Sequence, residues 1–198
     1  MQPEMYLSDV DQKLKSVIEQ VKLQRPVSTN QVFHDLMSCI IEQQIHYRST
    51  KNIFKNLLSK AGIDTLSLEN FDLFEKKALQ FIKISMNKAE TISRTVDYFE
   101  KNVVDWQHLP DEEIRNKLSS IKGIGKWTID MILLYTLERK DVFPDDDFRL
   151  KQIMIQVYGL NETSRLKAQM NAIAKSWGNE KSLAVLYLLA YYDQIKGR

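Results

Sequence analysis

Two short stretches of this chain hold residue types whose spacing could do chemistry. The first is Gly123-Ile124-Gly125, followed by Lys126, Trp127 and Thr128. Two glycines around one apolar residue allow a tight turn between helices, with Ile124 packed inward and backbone N–H groups facing out. The helix after the turn presents unpaired N–H groups to an anion, and Lys126 and Thr128 would add a charge and a hydroxyl donor to the same phosphate. A helix corner with no ligand fits the same residues, because short glycine motifs carry little specificity. The second stretch is Pro144-Asp145-Asp146-Asp147. A carboxylate fixed there could stabilise developing positive charge. An aspartate just before Phe148-Arg149-Leu150 is also an ordinary N-cap, worth about 1 kcal/mol. The turn and the acids are close enough in sequence to meet at one substrate if the intervening helix folds back.

Helices must position both, and nearly every segment has helical periodicity. Val10, Leu14, Val17, Ile18 and Val21 repeat at three and four residues, with Ser8 or Asp9 as N-cap. Pro26 and Ser28-Thr29-Asn30 break that pattern. Phe33, Leu36, Ile40 and Ile41 mark a second helix, and Ile53, Phe54, Leu57 and Leu58 a third that stops near Gly62. Further helices are predicted over 72–81, from a Ser85 cap through Phe99, after Pro110, over 126–137, over 148–158 ending at Gly159, over 167–177 and over 182–195. Alternating strand patterns are absent. The fold class is all-α, without internal repeats or a Pro- or Gly-rich linker.

Composition narrows the function classes. At 198 residues, with 43% hydrophobic and 27% charged residues, the chain can bury a real core. Net charge is +2, so a nucleic-acid partner would need its lysines and arginines clustered. Cys39 is the single cysteine; it falls in an apolar helical pattern, and one thiolate cannot hold an iron–sulfur cluster. His34, His46 and His108 lack metal-ligand spacing, so no metal site is expected. No signal peptide or membrane span is visible, and an intracellular location is expected: cytoplasm or nucleoid in a bacterium, nucleus in a eukaryote.

The run L–x–x–I–K–G–I–G–K–W–T followed by D–V–F–P–x–D–D resembles the helix–hairpin–helix (HhH-GPD) DNA glycosylase superfamily. It is most similar to the alkyladenine branch, the 3-methyladenine DNA glycosylase II enzymes. Phe33 to Ile45 resembles the family's early helix and intercalating turn, and Ser85 to Ile92 its S–x–x–K–A–x–x–I segment. Trp177 to Leu188 resembles its closing helix, with Asn179 and Lys181 replacing a Pro and an Arg. Lys83 departs from a frequent Gly, and the chain has no room for the amino-terminal β-rich domain of longer relatives.

The resemblance implies two helical lobes with an active-site cleft between them, 1–30 plus 141–198 and 31–140, the hairpin lying at about 117–137. It places the catalytic carboxylate on Asp147, with Asp146 serving structure, and the DNA-backbone grip on Gly123, Ile124, Gly125, Lys126 and Thr128. Gln44, with Gln43 beside it, falls at the wedge that fills the gap left by a flipped nucleotide; a polar helix end is the alternative. Trp127 falls at the base pocket, where an aromatic face attracts a cationic alkylated purine; a core tryptophan is the alternative. The superfamily's lyase members carry a lysine at that position, so Trp127 implies a monofunctional glycosylase. The implied activity is hydrolysis of the N-glycosidic bond of 3-methyladenine- and 7-methylguanine-type lesions in duplex DNA, initiating base excision repair. The enzyme would be a monomer without a cofactor, although a monovalent cation at the hairpin carbonyls is compatible with the family. A glycosylase for another damaged base and a non-catalytic hairpin DNA-binding protein are the competing readings.

Overall fold

A proline at the first helical position opens the chain: Pro3 starts α1 (Pro3–Val10). The computed structural model describes residues 2–25, 27–42 and 53–197. Gln43 and Gln44, the expected wedge, lie outside the described residues. Ser8 and Asp9 are not caps, because both fall inside α1, where the Ser8 hydroxyl donates to the Glu4 carbonyl at 2.8 Å. The cap between the first two helices is Asp11, whose Oδ1 accepts from the N–H groups of Lys13 and Leu14 at 3.0 and 2.9 Å.

The chain continues through α2 (Gln12–Gln20), α3 (Val32–Glu42), α4 (Ile53–Ala61), α5 (Leu68–Lys77), α6 (Met86–Lys101) and α7 (Asp111–Ser119). Then come α8 (Lys126–Met131), α9 (Phe148–Tyr158), α10 (Leu166–Ala174) and α11 (Lys181–Ile195). Every regular element among the described residues is helical, as the periodicity predicts. The predicted helix over 126–137 changes character part-way: α8 is followed by a π-helical stretch, Ile132–Thr136. Such stretches rearrange the carbonyl ladder, and the Ser28 hydroxyl donates to the Thr136 carbonyl at 2.6 Å.

The chain forms two compact units, Met1–Ser28 with Leu133–Arg198, and Thr29–Ile132. They part at 132/133 and not at the expected 140/141. The reason is local: Ser182 N–H donates to the Lys140 carbonyl, and its hydroxyl accepts from Val142 N–H at 3.0 Å. Residues 140–142 are thereby tied to the start of α11.

In the first unit α11 packs against α9, α2 and α1. Leu7, Leu14, Leu150, Ile153, Met154 and Leu188 fill its core. Trp177 is fully buried; its indole N–H and the Tyr158 hydroxyl both donate to Asp11 Oδ2, at 2.9 and 2.8 Å. One carboxylate thus caps α2 and joins two distant aromatics. In the second unit α3 packs on α4 and α6, α5 on the same two helices, and α7 on α8. Edge-on aromatic contacts among Phe33, Phe54, Phe71 and Phe74 supply much of its interior. Cys39 is half-buried on α3, and desolvation of its thiol pushes the pKa up to about 12. His34 is structural: its Nδ1 accepts from Leu66 N–H at 2.9 Å, and burial lowers its pKa.

Candidate active site

The hairpin is built by burying apolar residues spaced three and four apart. Ile114, Leu118, Ile121 and Ile124 are buried, which pulls the turn against the unit and leaves Lys122, Gly123, Gly125 and Lys126 at the surface. Ile124 N–H donates to the Ile121 carbonyl at 3.0 Å, closing the turn. The two glycines serve different ends. Gly123 has φ +108°, and a Cβ there would lie within 3.0 Å of three side-chain atoms of Thr91. Gly125 has an ordinary φ of −94°, and no described atom lies within 4 Å of a Cβ built on it. Folding therefore requires glycine at 123; at 125 it leaves the outer face of the turn bare.

Basic and acidic groups both stand near the turn. Arg94 reaches the Lys122 carbonyl at 3.5 Å and pairs with Glu90. A shallow depression of about 290 Å3 beside Lys122 is lined by Arg94, Tyr98, Lys101 and Asn102, and also by Asp97. Lys126 is half-exposed, with its ammonium 3.0 Å from Asp130 Oδ2. The other oxygen of Asp130 accepts from Arg115 Nη1 at 2.7 Å, so a buried carboxylate joins α7 to α8. Thr128, expected beside Lys126, is 1% exposed, because its face of α8 packs inward. Trp127, one residue earlier, is half-buried.

The carboxylate loop lies in the other unit. Asp147 N–H donates to the Pro144 carbonyl at 2.9 Å, closing a tight turn. Each of the three acids then meets a different environment. Asp145 accepts from Asn171 Nδ2 at 3.0 Å. Asp146 pairs with Lys167 and, at 3.5 Å, with Lys151. Asp147 is 4% exposed and caps α9, with Oδ1 accepting from Leu150 N–H at 2.9 Å. The cap reading and the site reading therefore fall on the same residue. A carboxylate at the start of an eleven-residue helix also gains from the helix dipole.

Around Asp147 stand Arg149 and Asp193, which sequence reasoning does not single out, and Tyr135, whose helical spacing suits core or surface more than a pocket. Arg149 Nη1 lies 3.6 Å from Asp193 Oδ2. The Tyr135 side chain hydrogen-bonds to Arg149, and its pKa is raised chiefly by burial; Arg149 opposes that rise, and Asp147 and Asp193 reinforce it. A cavity of about 300 Å3 in the same unit is lined by Tyr135, Leu134, Arg139, Leu183 and Leu186, but not by Asp147.

The profile described as HhH-GPD superfamily base excision DNA repair protein matches residues 37–179. That span covers most of the chain and takes in both the hairpin and the carboxylate loop. The chain belongs to the HhH-GPD superfamily.

Among curated relatives, DNA-3-methyladenine glycosylase 1 of Schizosaccharomyces pombe is 26% identical over 75% of this chain and 68% of its own length. A putative DNA-3-methyladenine glycosylase of Bacillus subtilis is 30% identical over 79% of this chain and 58% of its own. The fold is shared with a crystallised DNA-3-methyladenine glycosidase of Bacillus halodurans, at TM-score 0.79 and 24% identity, covering 100% of this chain and 92% of that one. It is shared equally with the S. pombe 3-methyladenine DNA glycosylase in complex with abasic DNA, at TM-score 0.80 and 21% identity, covering 99% and 97%.

Within this superfamily member, the second unit gathers Gly123, Ile124, Gly125, Lys126, Trp127 and Thr128, and the first holds Asp147. Of the residues missed, Asp130 had a legible signal, since it stands one helical turn after Lys126. Arg149 and Asp193 are too far apart in sequence for their pairing to be read. Among the described residues no cluster of His, Cys, Asp or Glu could hold a metal ion, and no helix is long and apolar enough to cross a membrane.

Proposed function

We propose that the protein is a monofunctional DNA glycosylase that excises alkylated purines of the 3-methyladenine and 7-methylguanine type from duplex DNA. The observation that carries this reading is Asp147: a buried carboxylate, aimed by a helix N-terminus, in a superfamily member with a glycine hairpin. The names of the curated relatives support the alkylpurine class.

The reaction replaces the base at C1′ of deoxyribose with water. An alkylated purine already carries positive charge and leaves readily, so little acid catalysis is required. Loss of the base gives the sugar oxocarbenium character, which a fixed carboxylate in a water-poor site stabilises. Asp147 also suits orienting or deprotonating the attacking water. Its Oδ1 hydrogen bond to Leu150 N–H fixes the carboxylate before substrate arrives, so little reorganisation accompanies the reaction. The bare face at Gly125, with the half-exposed Lys126 next to it, suits the DNA backbone. Trp127 suits a cationic base through its π face.

Trp127 stands where lyase members place an amine nucleophile, so hydrolysis without strand cleavage is the expected course. No cofactor is needed for this chemistry, and we assign the protein to the interior of the cell, acting as a monomer. The test is single-turnover release of 7-methylguanine and 3-methyladenine from alkylated duplex DNA by wild type and Asp147→Asn. Release by wild type alone supports the reading. Equal release by both removes Asp147 from the chemistry. Duplex binding without release by either points to another lesion or to a binding module.

A further inference from the structure

Asp130 is a carboxylate that the reaction above does not use. It is 1% exposed, and an ionised group so deeply buried must keep a counter-ion. It has two. Arg115 Nη1 lies at 2.7 Å from one oxygen, with 28% of its side chain exposed, and reaches across from α7. Lys126 Nζ lies at 3.0 Å from the other, with 51% of its side chain exposed, one helical turn away on α8. The two cations are not equivalent. The guanidinium is the more buried partner with the shorter contact, and it joins separate helices. The ammonium is a strongly hydrated point charge on a flexible stem beside the bare face at Gly125.

We infer that Asp130 is a positioning residue that holds Lys126 ready beside the hairpin turn and releases it to a DNA backbone phosphate, while Arg115 stays as its counter-ion. This rests on the DNA-binding reading above and deepens it. With one cation only, release would strand a buried charge, and the lysine would stay where it is. With two, the exchange trades one ion pair for another, and the hairpin helices remain stapled by Arg115. The pairing also restricts the Lys126 side chain to the neighbourhood of its target, which reduces the ordering required on binding.

Binding of undamaged duplex DNA to the full chain, followed by fluorescence anisotropy over a series of KCl concentrations, tests this. A phosphate contact from one lysine contributes about 0.9 to the slope of log K against log salt. Lys126→Ala should make the slope shallower by about that amount. In an Arg115→Met background the same substitution should change nothing, because Lys126 can no longer leave the carboxylate. Asp130→Asn should tighten binding severalfold at low salt, and that gain should vanish in the Asp130→Asn, Lys126→Ala double variant.

The Asp130→Asn pair carries the test alone if Arg115→Met does not fold. An unchanged slope in Lys126→Ala overturns the exchange while leaving DNA binding intact. So does a gain from Asp130→Asn that persists without Lys126, since a role confined to joining α7 and α8 would leave the Lys126 contribution to the slope unmoved in every background. A wild-type protein with no salt-dependent duplex binding overturns the functional reading and the exchange together.

Discussion

The glycine turn and the carboxylate loop are held by opposite means. The turn buries its apolar members, Ile121 and Ile124, and leaves backbone and basic side chains outside. The loop buries a charged member, Asp147, and secures it through a helix N-terminus. A surface that meets a polyanion can remain solvated until it binds, because its partner brings the opposite charge. A group that must act on developing charge gains strength from a low-dielectric setting, but it must then be fixed in advance by hydrogen bonds. The contrast explains why the turn tolerates a bare glycine and the loop tolerates almost no freedom.

The sharpest way to break this contrast is Asp147→Asn. Asparagine caps a helix nearly as well as aspartate, so the thermal midpoint should stay close to wild type while base release falls by about 10²–10³-fold or more. Asp147→Ala should lose release equally and also lose about 1 kcal/mol of stability with the cap. Single-turnover release combined with thermal melts separates the two contributions. If both variants keep wild-type release and only Asp147→Ala loses stability, Asp147 is only a cap.

The turn should split in the opposite sense. Gly123→Ala places a methyl group against Thr91 at positive φ, and strain of this kind costs about 1–3 kcal/mol, with overlap adding to it. A fall in the thermal midpoint and a comparable loss of DNA binding are expected, with the binding loss following the unfolded fraction. Gly125→Ala meets no described atom, and replacing an N-cap Gly by Ala should cost less than about 1 kcal/mol. Its effect should appear instead as roughly tenfold weaker duplex binding, about 1.4 kcal/mol, through lost close approach of the backbone. Equal melts and equal affinities for the two alanine variants would remove the distinction between a glycine needed for folding and one needed for contact.

How much of this could be read from sequence follows the range of the interactions involved. The helices were legible because their apolar repeats are local, and α9 runs over the predicted 148–158 and ends at Gly159, with φ +68°. The turn and the acids were legible as motifs. What was not legible depends on which face packs where. Thr128 follows the turn in sequence like a phosphate donor, yet the packing of α8 takes it inside. Arg115 meets Asp130 across a hairpin, and Asp11 gathers Tyr158 and Trp177 from the far end of the chain. No local pattern encodes such pairings. The π-helical stretch at 132–136 is invisible for a related reason: its apolar composition suits an ordinary helix, and only the hydrogen-bond ladder distinguishes it.

The smallest effect should come from the neighbour that most resembles the key residue. Asp146 and Asp147 are chemically identical and adjacent, but Asp146 turns outward to Lys167 and Lys151. Partly exposed ion pairs of this kind contribute about 0.2–1 kcal/mol, less in salt. Asp146→Asn should therefore shift the thermal midpoint slightly at low ionic strength, lose that shift in added KCl, and release bases at the wild-type rate. The adjacent pair of substitutions differs only in which carboxylate is lost, so it isolates burial and helix capping from the mere presence of acid in the loop. A large loss of release in Asp146→Asn, at unchanged stability, would mean that the loop acts as a cluster and that fixation of a single buried carboxylate is the wrong account of it.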